Sequence, residues 1–321
     1  MSSIVRRVHF VCQKIIAYIC DLMPKKVIRE EAETVAVFLV GPPRSGSTLI
    51  MQALCDAFKV GYLSNKHCAW FAAPSFAERV FRPLVVKRPS DYASDHGRTN
   101  RPDEPSECGA WWYRFFRRDP AYVRLDNVSE RRMNSFRCSL FNIYQEIGLP
   151  LVFKNLYATL RIEPIAHYVP NALFVVIKRD WVDNAHSILK GRKDASGRYD
   201  QWWSVPPPNV KKLSRLRPVC QVLGQIQSLN ELIDRDIRRL GLEDRTFSIR
   251  YEDFCNDVHG ALESFQSFML RHGVNLERRF DVPAEFGISR DIKIPELMYE
   301  ELKSEAAKLG IGSGSAKQDS S

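Results

Sequence analysis

The residues with the clearest chemistry form a short loop, Arg44-Ser45-Gly46-Ser47-Thr48. An apolar run over residues 35–40 enters it through Gly41-Pro42-Pro43, and a helical pattern leaves it toward Leu54. Strand, tight loop and helix N-terminus together make an anion holder. The first N–H groups of a helix have no intrahelical partner and carry the positive end of its dipole. Gly46 lets the backbone approach the anion, the Ser and Thr hydroxyls add donors, and Arg44 adds a fixed cation.

Gly41 and Gly46 are spaced as in the triphosphate loop G-x-x-x-x-G-K-[ST], but Ser47 stands where that motif has its Lys. The cation has moved across Gly46 to Arg44, which points to a phosphate-bearing ligand that is not held as ATP or GTP is. A second anion contact is expected from Arg179 and Ser187. Residues 173–177 read as a buried strand and a helix follows from about residue 182. Arg179 then sits at the strand's C-terminal end, with Ser187 about one and a half turns into the helix. Ligands of open α/β sheets bind outside the carboxyl ends of strands, so both contacts fall on one edge of a parallel sheet. The plainer alternative for Arg179 is a surface salt bridge with Asp180 or Asp183.

Other elements must hold these two contacts in place. Ile4, Val8, Val11, Ile15, Ile19 and Leu22 recur at helical spacing and predict an amphipathic helix ending at Pro24, joined by a charged linker to residue 33. A β-loop-α unit covers residues 35–58. A long irregular segment of Pro, Trp and charge runs over 60–120, and a second over 196–218. Helices are expected at 128–147, 219–240 and 257–270, and strands at 151–153, 173–177 and 246–249. This alternation implies a parallel sheet covered on both faces. The expected fold class is α/β, a three-layer sandwich of P-loop NTPase-like type, in one domain over 34–311 with a disordered tail at 312–321. Trp111-Trp112 and Trp202-Trp203 are candidates to stack on a sugar or on adenine, unless one Trp of each pair is core.

At these residues the chain resembles a family. Pro43 to Thr48 is similar to the 5′-phosphosulfate loop of sulfotransferases that use 3′-phosphoadenosine-5′-phosphosulfate (PAPS). Arg179 to Ser187 is similar to the family's R-[ND]-P-x-D-x-x-x-S element, which grips the 3′-phosphate, with Trp181 in place of the usual Pro. Arg250-Tyr251-Glu252-Asp253-Phe254 resembles the family's Y-E-D-[LF] segment. Lys154-Asn155, with Tyr168-Val169-Pro170-Asn171 after it, resembles the approach to the 3′-phosphate strand. The four occur in family order over residues 35–270. PAPS needs two separated anion holders, whereas a triphosphate site needs one holder and a Mg²⁺ carboxylate, and no strand here ends in such an Asp.

The resemblance implies in-line transfer of a sulfuryl group from PAPS to an acceptor hydroxyl, carbohydrate or lipid-like, with no metal. It implies PAPS binding by Arg44, Ser45, Gly46, Ser47, Thr48, Arg179, Ser187 and Tyr251, with Arg44 and Lys154 as catalytic cations. Its members use a His or Glu as base. Cytosolic members carry a His two residues after the strand-end Lys, where this chain has Leu156. Glu107, in Pro105-Ser106-Glu107-Cys108-Gly109-Ala110-Trp111-Trp112, is the expected base and resembles the E-x-G-x-[FW]-W stretch of some bacterial members. Between a polar loop and an aromatic cluster, partial burial would raise its pKa. Glu104 and His96 are the fallbacks, and a helix-start carboxylate is the plain reading of Glu107.

The 321 residues carry a net charge of +9, which suits an anionic ligand. The basic residues are scattered and no nucleic-acid-binding signature is present, so nucleic acid is not an expected partner. The eight cysteines show no C-x-x-C and no metal spacing. Cys55, Cys138 and Cys220 lie in apolar-periodic stretches and read as buried thiols, which favours a reducing compartment. No transmembrane stretch is evident. The segment 4–23 is expected to dock on the domain or to lie on a membrane surface, giving a cytoplasmic protein with a small-molecule or glycan acceptor and potential peripheral membrane contact. Two other readings remain open: a degenerate P-loop kinase or NTPase, and a non-catalytic nucleotide-binding module.

Overall fold

A computed structural model describes residues 34–95 and 97–310, preceded by residues 8, 11–13 and 15. Most of the expected leading helix and its linker, the fallback base His96 and the tail 312–321 lie outside the described residues. Of the leading segment, Gln13 is buried and its Oε1 accepts from the Ala72 N–H at 3.3 Å, while Val8, Val11 and Ile15 are exposed.

Five strands form one parallel sheet: β1 (Ala36–Val40), β2 (Gly61–Tyr62), β3 (Leu151–Lys154), β4 (Ala172–Lys178) and β5 (Thr246–Arg250), in the order β2-β3-β1-β4-β5. The central strand, β1, reads AVFLV and is buried throughout, as a strand covered on both faces must be. Its register sets Leu39 beside Lys154 of β3 and Val175 of β4. The chain builds to one side of β1 first and then crosses to the other. The mouth of the sheet above β1 is therefore a topological switch point, where open α/β sheets take their ligands.

The helices, in chain order, are α1 (Ser47–Ala57), α2 (Asn65–Ala69), α3 (Pro74–Phe81), α4 (Gly109–Trp112), α5 (Glu130–Ile147), α6 (Ile162–Tyr168), α7 (Trp181–Ser196), α8 (Val210–Leu213), α9 (Pro218–Arg239), α10 (Tyr251–Asn256), α11 (Val258–Arg271) and α12 (Glu296–Lys308). Side chains alternate across the sheet with period two. Phe38, Phe153, Phe174 and Val176 point into a core shared with α4, α5, α6 and α9. Val37, Leu39, Val175 and Ile177 point into a second core with α1, α10 and α11. Ile188 of α7, Leu223 of α9 and Leu302 of α12 close a third cluster beside the sheet. The three layers expected from the alternation of strands and helices are present.

The segment 60–120 differs from its expectation. It carries the edge strand β2 and helices α2, α3 and α4, elements of two to eight residues that are too short for a periodic signal. β2 is set by its neighbour, through the Gly61 N–H bond to the Pro150 carbonyl at 2.9 Å. Trp111 and Trp112 are 0 % and 1 % exposed, which overturns the stacking role considered for that pair. Trp111 lies parallel to Phe153 at 5.6 Å and donates its indole N–H to Ser139 Oγ. Cys55 and Cys138 are buried as expected, but Cys220 is only part-buried, its Sγ against the Arg217 guanidinium.

A buried polar cluster ties α2 to α3. His67 Nδ1 accepts from the Ser64 N–H, Nε2 meets Glu78 Oε2 at 2.9 Å, and Lys66 Nζ lies 2.8 Å from the same oxygen. Burial holds His67 below its ordinary 6.5 despite the Glu78 hydrogen bond. Burial would push Glu78 up, but the hydrogen bonds from His67 and Lys66 overrule it and hold the carboxyl at about 2. Both folded-state values are depressed, so each group contributes stability above its unfolded pKa and loses it as pH falls. The melting temperature is expected to fall in two stages. The first begins below pH 6.5, where the unfolded His67 takes up a proton. The second begins below about 4.5, where the unfolded Glu78 does. A melting temperature that stays flat between these two pH values would show that His67 is not held neutral.

Candidate active site

The loop after β1 turns through two left-handed residues, Arg44 (φ 64°) and Gly46 (φ 89°). Gly46 has no alternative: a Cβ there would lie 2.0 Å from Cδ2 of Tyr251. Four side chains brace the loop from outside. Thr159 Oγ1 accepts from the Gly41 N–H at 3.0 Å and donates back to the Gly41 carbonyl at 3.2 Å. Asn184 Nδ2 donates to the Pro43 carbonyl at 2.7 Å, and Arg179 Nη1 to the Arg44 carbonyl at 2.8 Å. Arg44 Nε in turn donates to Ser187 Oγ at 3.1 Å. The two expected anion contacts, more than a hundred residues apart in sequence, are thus bonded to each other.

α7 can present Arg179 and Ser187 this way because Asp180 caps it. Asp180 Oδ1 accepts from the Val182 and Asp183 N–H groups at 2.9 and 3.0 Å, satisfying two orphan donors of the first turn. The carboxylate is occupied there, and neither it nor Asp183 forms a salt bridge with Arg179 among the described residues. The Arg179 guanidinium lies instead over the Tyr251 ring, 4.6 Å from its centroid. Burial, and then Cys255, raise the Tyr251 phenol to about 12, so it is neutral.

A cavity of about 930 Å³ opens above this edge. Eight of the ten expected site residues line it: Arg44, Gly46, Ser47, Thr48, Glu107, Lys154, Arg179 and Tyr251. The other two stand directly behind: Ser45 is fully buried beneath the loop, and Ser187 supports Arg44. No described carboxylate pairs with Arg44 or Arg179. Burial, and then the charge of Arg179, push the Arg44 guanidinium down from its usual value. Ser45 Oγ and Arg179 Nε are buried without a hydrogen-bond partner. Two cations and an orphan hydroxyl gathered in one place, neither cation in a salt bridge with a described carboxylate, fit a ligand that supplies the negative charge.

A different pair stands at the far side of the loop. Lys154, at the end of β3, places Nζ 2.8 Å from Glu107 Oε1 and 3.1 Å from the Gly97 carbonyl. The Lys154 side chain is 4 % exposed and that of Glu107 is 44 % exposed. Glu107 is thus half-buried, in keeping with the partial burial expected for it. Asn155 Nδ2 holds the Glu107 carbonyl at 3.2 Å while its Oδ1 caps the turn that follows β3. Glu104 is corrected as a candidate: its Oε2 accepts from the Asn100 and Arg101 N–H groups inside a turn, and it does not line the cavity. Trp203 lines the cavity and packs on Gly191, whereas Trp202 packs on the Arg192 guanidinium.

Sequence reasoning gave no individual role to Thr159, Asn184, Asn155 or Gly97. Asn184 and Asn155 lie inside or beside the motifs already noted. Thr159 and Gly97 reach the site only through tertiary folding. Among the described residues, four that are not glycine have a left-handed backbone: Arg44, Tyr92, Cys108 and Ser204. All four line this cavity. Backbone strain of this kind collects at functional sites. Also among the described residues, no group of His, Cys, Asp and Glu is arranged to hold a metal, and no helix is long and apolar enough to cross a membrane.

Comparison with known proteins places this geometry. The profile of a family described as "Sulfotransferase family" matches residues 36–269, most of the chain. No curated protein matches. Among solved structures, sulfotransferase STF9 from Mycobacterium avium is similar over 96% of this chain and 85% of its own, with a TM-score of 0.51 at 14% identity. Sulfotransferase STF1 from Mycobacterium tuberculosis H37Rv is similar over 81% and 74%, with a TM-score of 0.46 at 13% identity. The sulfotransferase domain from the curacin biosynthetic pathway covers 88% of this chain and 99% of its own, with a TM-score of 0.45 at 15% identity. The first of these supports the three-layer, P-loop-like fold; the likeness of the other two carries no further argument.

Proposed function

The chain belongs to the sulfotransferase family, and from that premise we propose that it moves a sulfuryl group from PAPS to an acceptor hydroxyl of a small molecule or glycan. One observation carries the reading: Arg44 and Arg179 converge on one cavity, and neither forms a salt bridge with a described carboxylate. A ligand with phosphates at both ends of a ribose suits that arrangement better than a triphosphate does. In this reading the N-terminal N–H groups of α1, with Ser45, Ser47 and Thr48, hold the 5′-phosphosulfate. Arg179 holds the 3′-phosphate, Ser187 supports the site from behind Arg44, and Tyr251 backs both anion contacts.

PAPS supplies an electrophilic sulfur and a phosphate leaving group. The chain's own residues do the rest. Glu107 takes the acceptor's proton as the acceptor oxygen bonds to sulfur and the sulfur–oxygen bond to the phosphate breaks. Lys154 and Arg44 neutralise charge on the departing phosphate, as preorganised cations in a water-poor site do most effectively. Lys154, bonded to Glu107 and to the Gly97 carbonyl, would pass from the carboxylate to the phosphate during the step.

Incubation with ³⁵S-labelled PAPS and a panel of sugars, phenols and hydroxylated lipids is the direct test. The expected result is label in an acceptor together with released 3′,5′-ADP, and tighter binding of 3′,5′-ADP than of 5′-AMP. Equal affinity for the two nucleotides would end the PAPS reading. Preference for 3′,5′-ADP with no transfer to any acceptor would favour the non-catalytic binding module.

A further inference from the structure

Two cysteines of the cavity wall take no part in the proposed transfer. Cys68, on α2, donates its thiol to Ser106 Oγ at 3.0 Å, and its sulfur lies within interaction range of the Cys108 thiol. Both sulfur-bearing residues line the cavity, with Ser106 and Glu107 beside them. Cys108 is 3 % exposed, follows Glu107 directly and is one of the four left-handed residues. The remaining described thiols differ: Cys55, Cys138 and Cys255 are buried, Cys12 is exposed and Cys220 part-buried, and none of the five lines this cavity.

We propose that Cys68 and Cys108 are an oxidisable dithiol in the cavity wall, which a hydroperoxide closes into a disulfide. The geometry supplies the reacting order. Cys68 is part-exposed and reached from the cavity, while Cys108 is buried behind it. The neighbouring Cys108 thiol, and then Ser106, lower the Cys68 thiol against the opposing effect of burial, and the same partnership raises Cys108. Cys68, the more exposed of the two, is therefore the attacking sulfur. Its sulfur attacks the outer peroxide oxygen, the O–O bond breaks, and Cys68 becomes a sulfenic acid as the alkoxide leaves and is protonated by water. The Cys108 sulfur then attacks the Cys68 sulfur, the S–O bond breaks, and the Cys108 proton leaves with the hydroxide as water. Two thiols and one hydroperoxide give one disulfide, one alcohol and one water: the sulfurs lose two electrons and the peroxide gains them. Closing the two thiols to a bond of about 2.05 Å draws α2 toward the start of α4 and moves the backbone at Glu107.

The consequence for activity rests on the reading of Glu107 as the base; the oxidation itself does not. The whole chain is treated with hydrogen peroxide, quenched in acid, alkylated and mapped without reductant. The expected result is the loss of two of the eight thiols, recovered as a Cys68–Cys108 crosslinked peptide and restored by dithiothreitol. The crosslink should disappear in Cys68→Ser, with Cys108 then remaining alkylatable. Cys68 left reduced, carried to sulfinic acid without a crosslink, or joined to any other cysteine would each overturn the proposal. If the crosslink forms, sulfuryl transfer should fall about a hundredfold while 3′,5′-ADP binding is retained, the scale expected for a base displaced by about 1 Å. A crosslink with unchanged transfer would leave the dithiol standing and count against Glu107.

Discussion

Replacing Arg179 with alanine is expected to weaken 3′,5′-ADP binding by about 2–4 kcal/mol, roughly thirty- to seven-hundredfold, and 5′-AMP binding far less. The difference between the two nucleotides is the measurement that matters, and isothermal titration calorimetry reads it directly. Arg179 has two tasks in the structure. One is to hold the Arg44 carbonyl; the other is latent in its buried Nε, which has no partner. A 3′-phosphate would engage the second task, whereas loss of the first would injure both ligands equally. Equal weakening would therefore mean that Arg179 only braces the loop. Arg179→Lys restores charge without the planar fork and should recover part of the affinity. Ser187→Ala should cost less than Arg179→Ala, because Ser187 stands behind Arg44 rather than on the cavity wall.

Glu107→Gln should lower kcat by about a hundredfold to ten-thousandfold, the range for loss of a positioned general base, with 3′,5′-ADP affinity nearly unchanged. The substitution keeps the shape and the hydrogen bond near Lys154 but removes the proton acceptor. The donor side is insulated from it, since the Arg44–Ser187 and Arg179–Arg44 contacts involve neither Glu107 nor Lys154. Single-turnover kinetics with preloaded donor would separate this loss from any change in product release. A variant that transfers at the wild-type rate would remove Glu107 from the chemistry and turn attention to His96.

Much of the donor side could be read from sequence. The loop at residues 44–48 and the pair Arg179 and Ser187 carry local signals: a glycine at a fixed spacing, a buried strand and a cap that follows it. Such signals depend on a few neighbouring residues and survive without knowledge of the fold. The acceptor side was less legible. Lys154 was indicated by the family resemblance, but its carbonyl partner comes from Gly97 and its carboxylate partner from a loop more than forty residues away. The elements that carry that loop, β2 and α2 to α4, are too short for hydrophobic periodicity. They owe their conformation to packing and to the Ser64–His67–Glu78 cluster. Trp111 and Trp112 illustrate the same limit: tandem aromatics look alike in sequence whether they meet a ligand or fill a core.

The four left-handed residues of the cavity wall have a further consequence. Arg44, Tyr92, Cys108 and Ser204 each hold a backbone shape that glycine would adopt freely, at about 1–2 kcal/mol apiece. Their sum, roughly 4–8 kcal/mol, is comparable with the entire margin by which a domain of ordinary size stays folded. The pocket is thus under tension that the two aromatic and aliphatic cores must contain. Damage to those cores, however remote, should surface first as slackening of the cavity rather than as wholesale unfolding. Tolerance of distant mutations and fidelity of the pocket would then draw on one shared reserve.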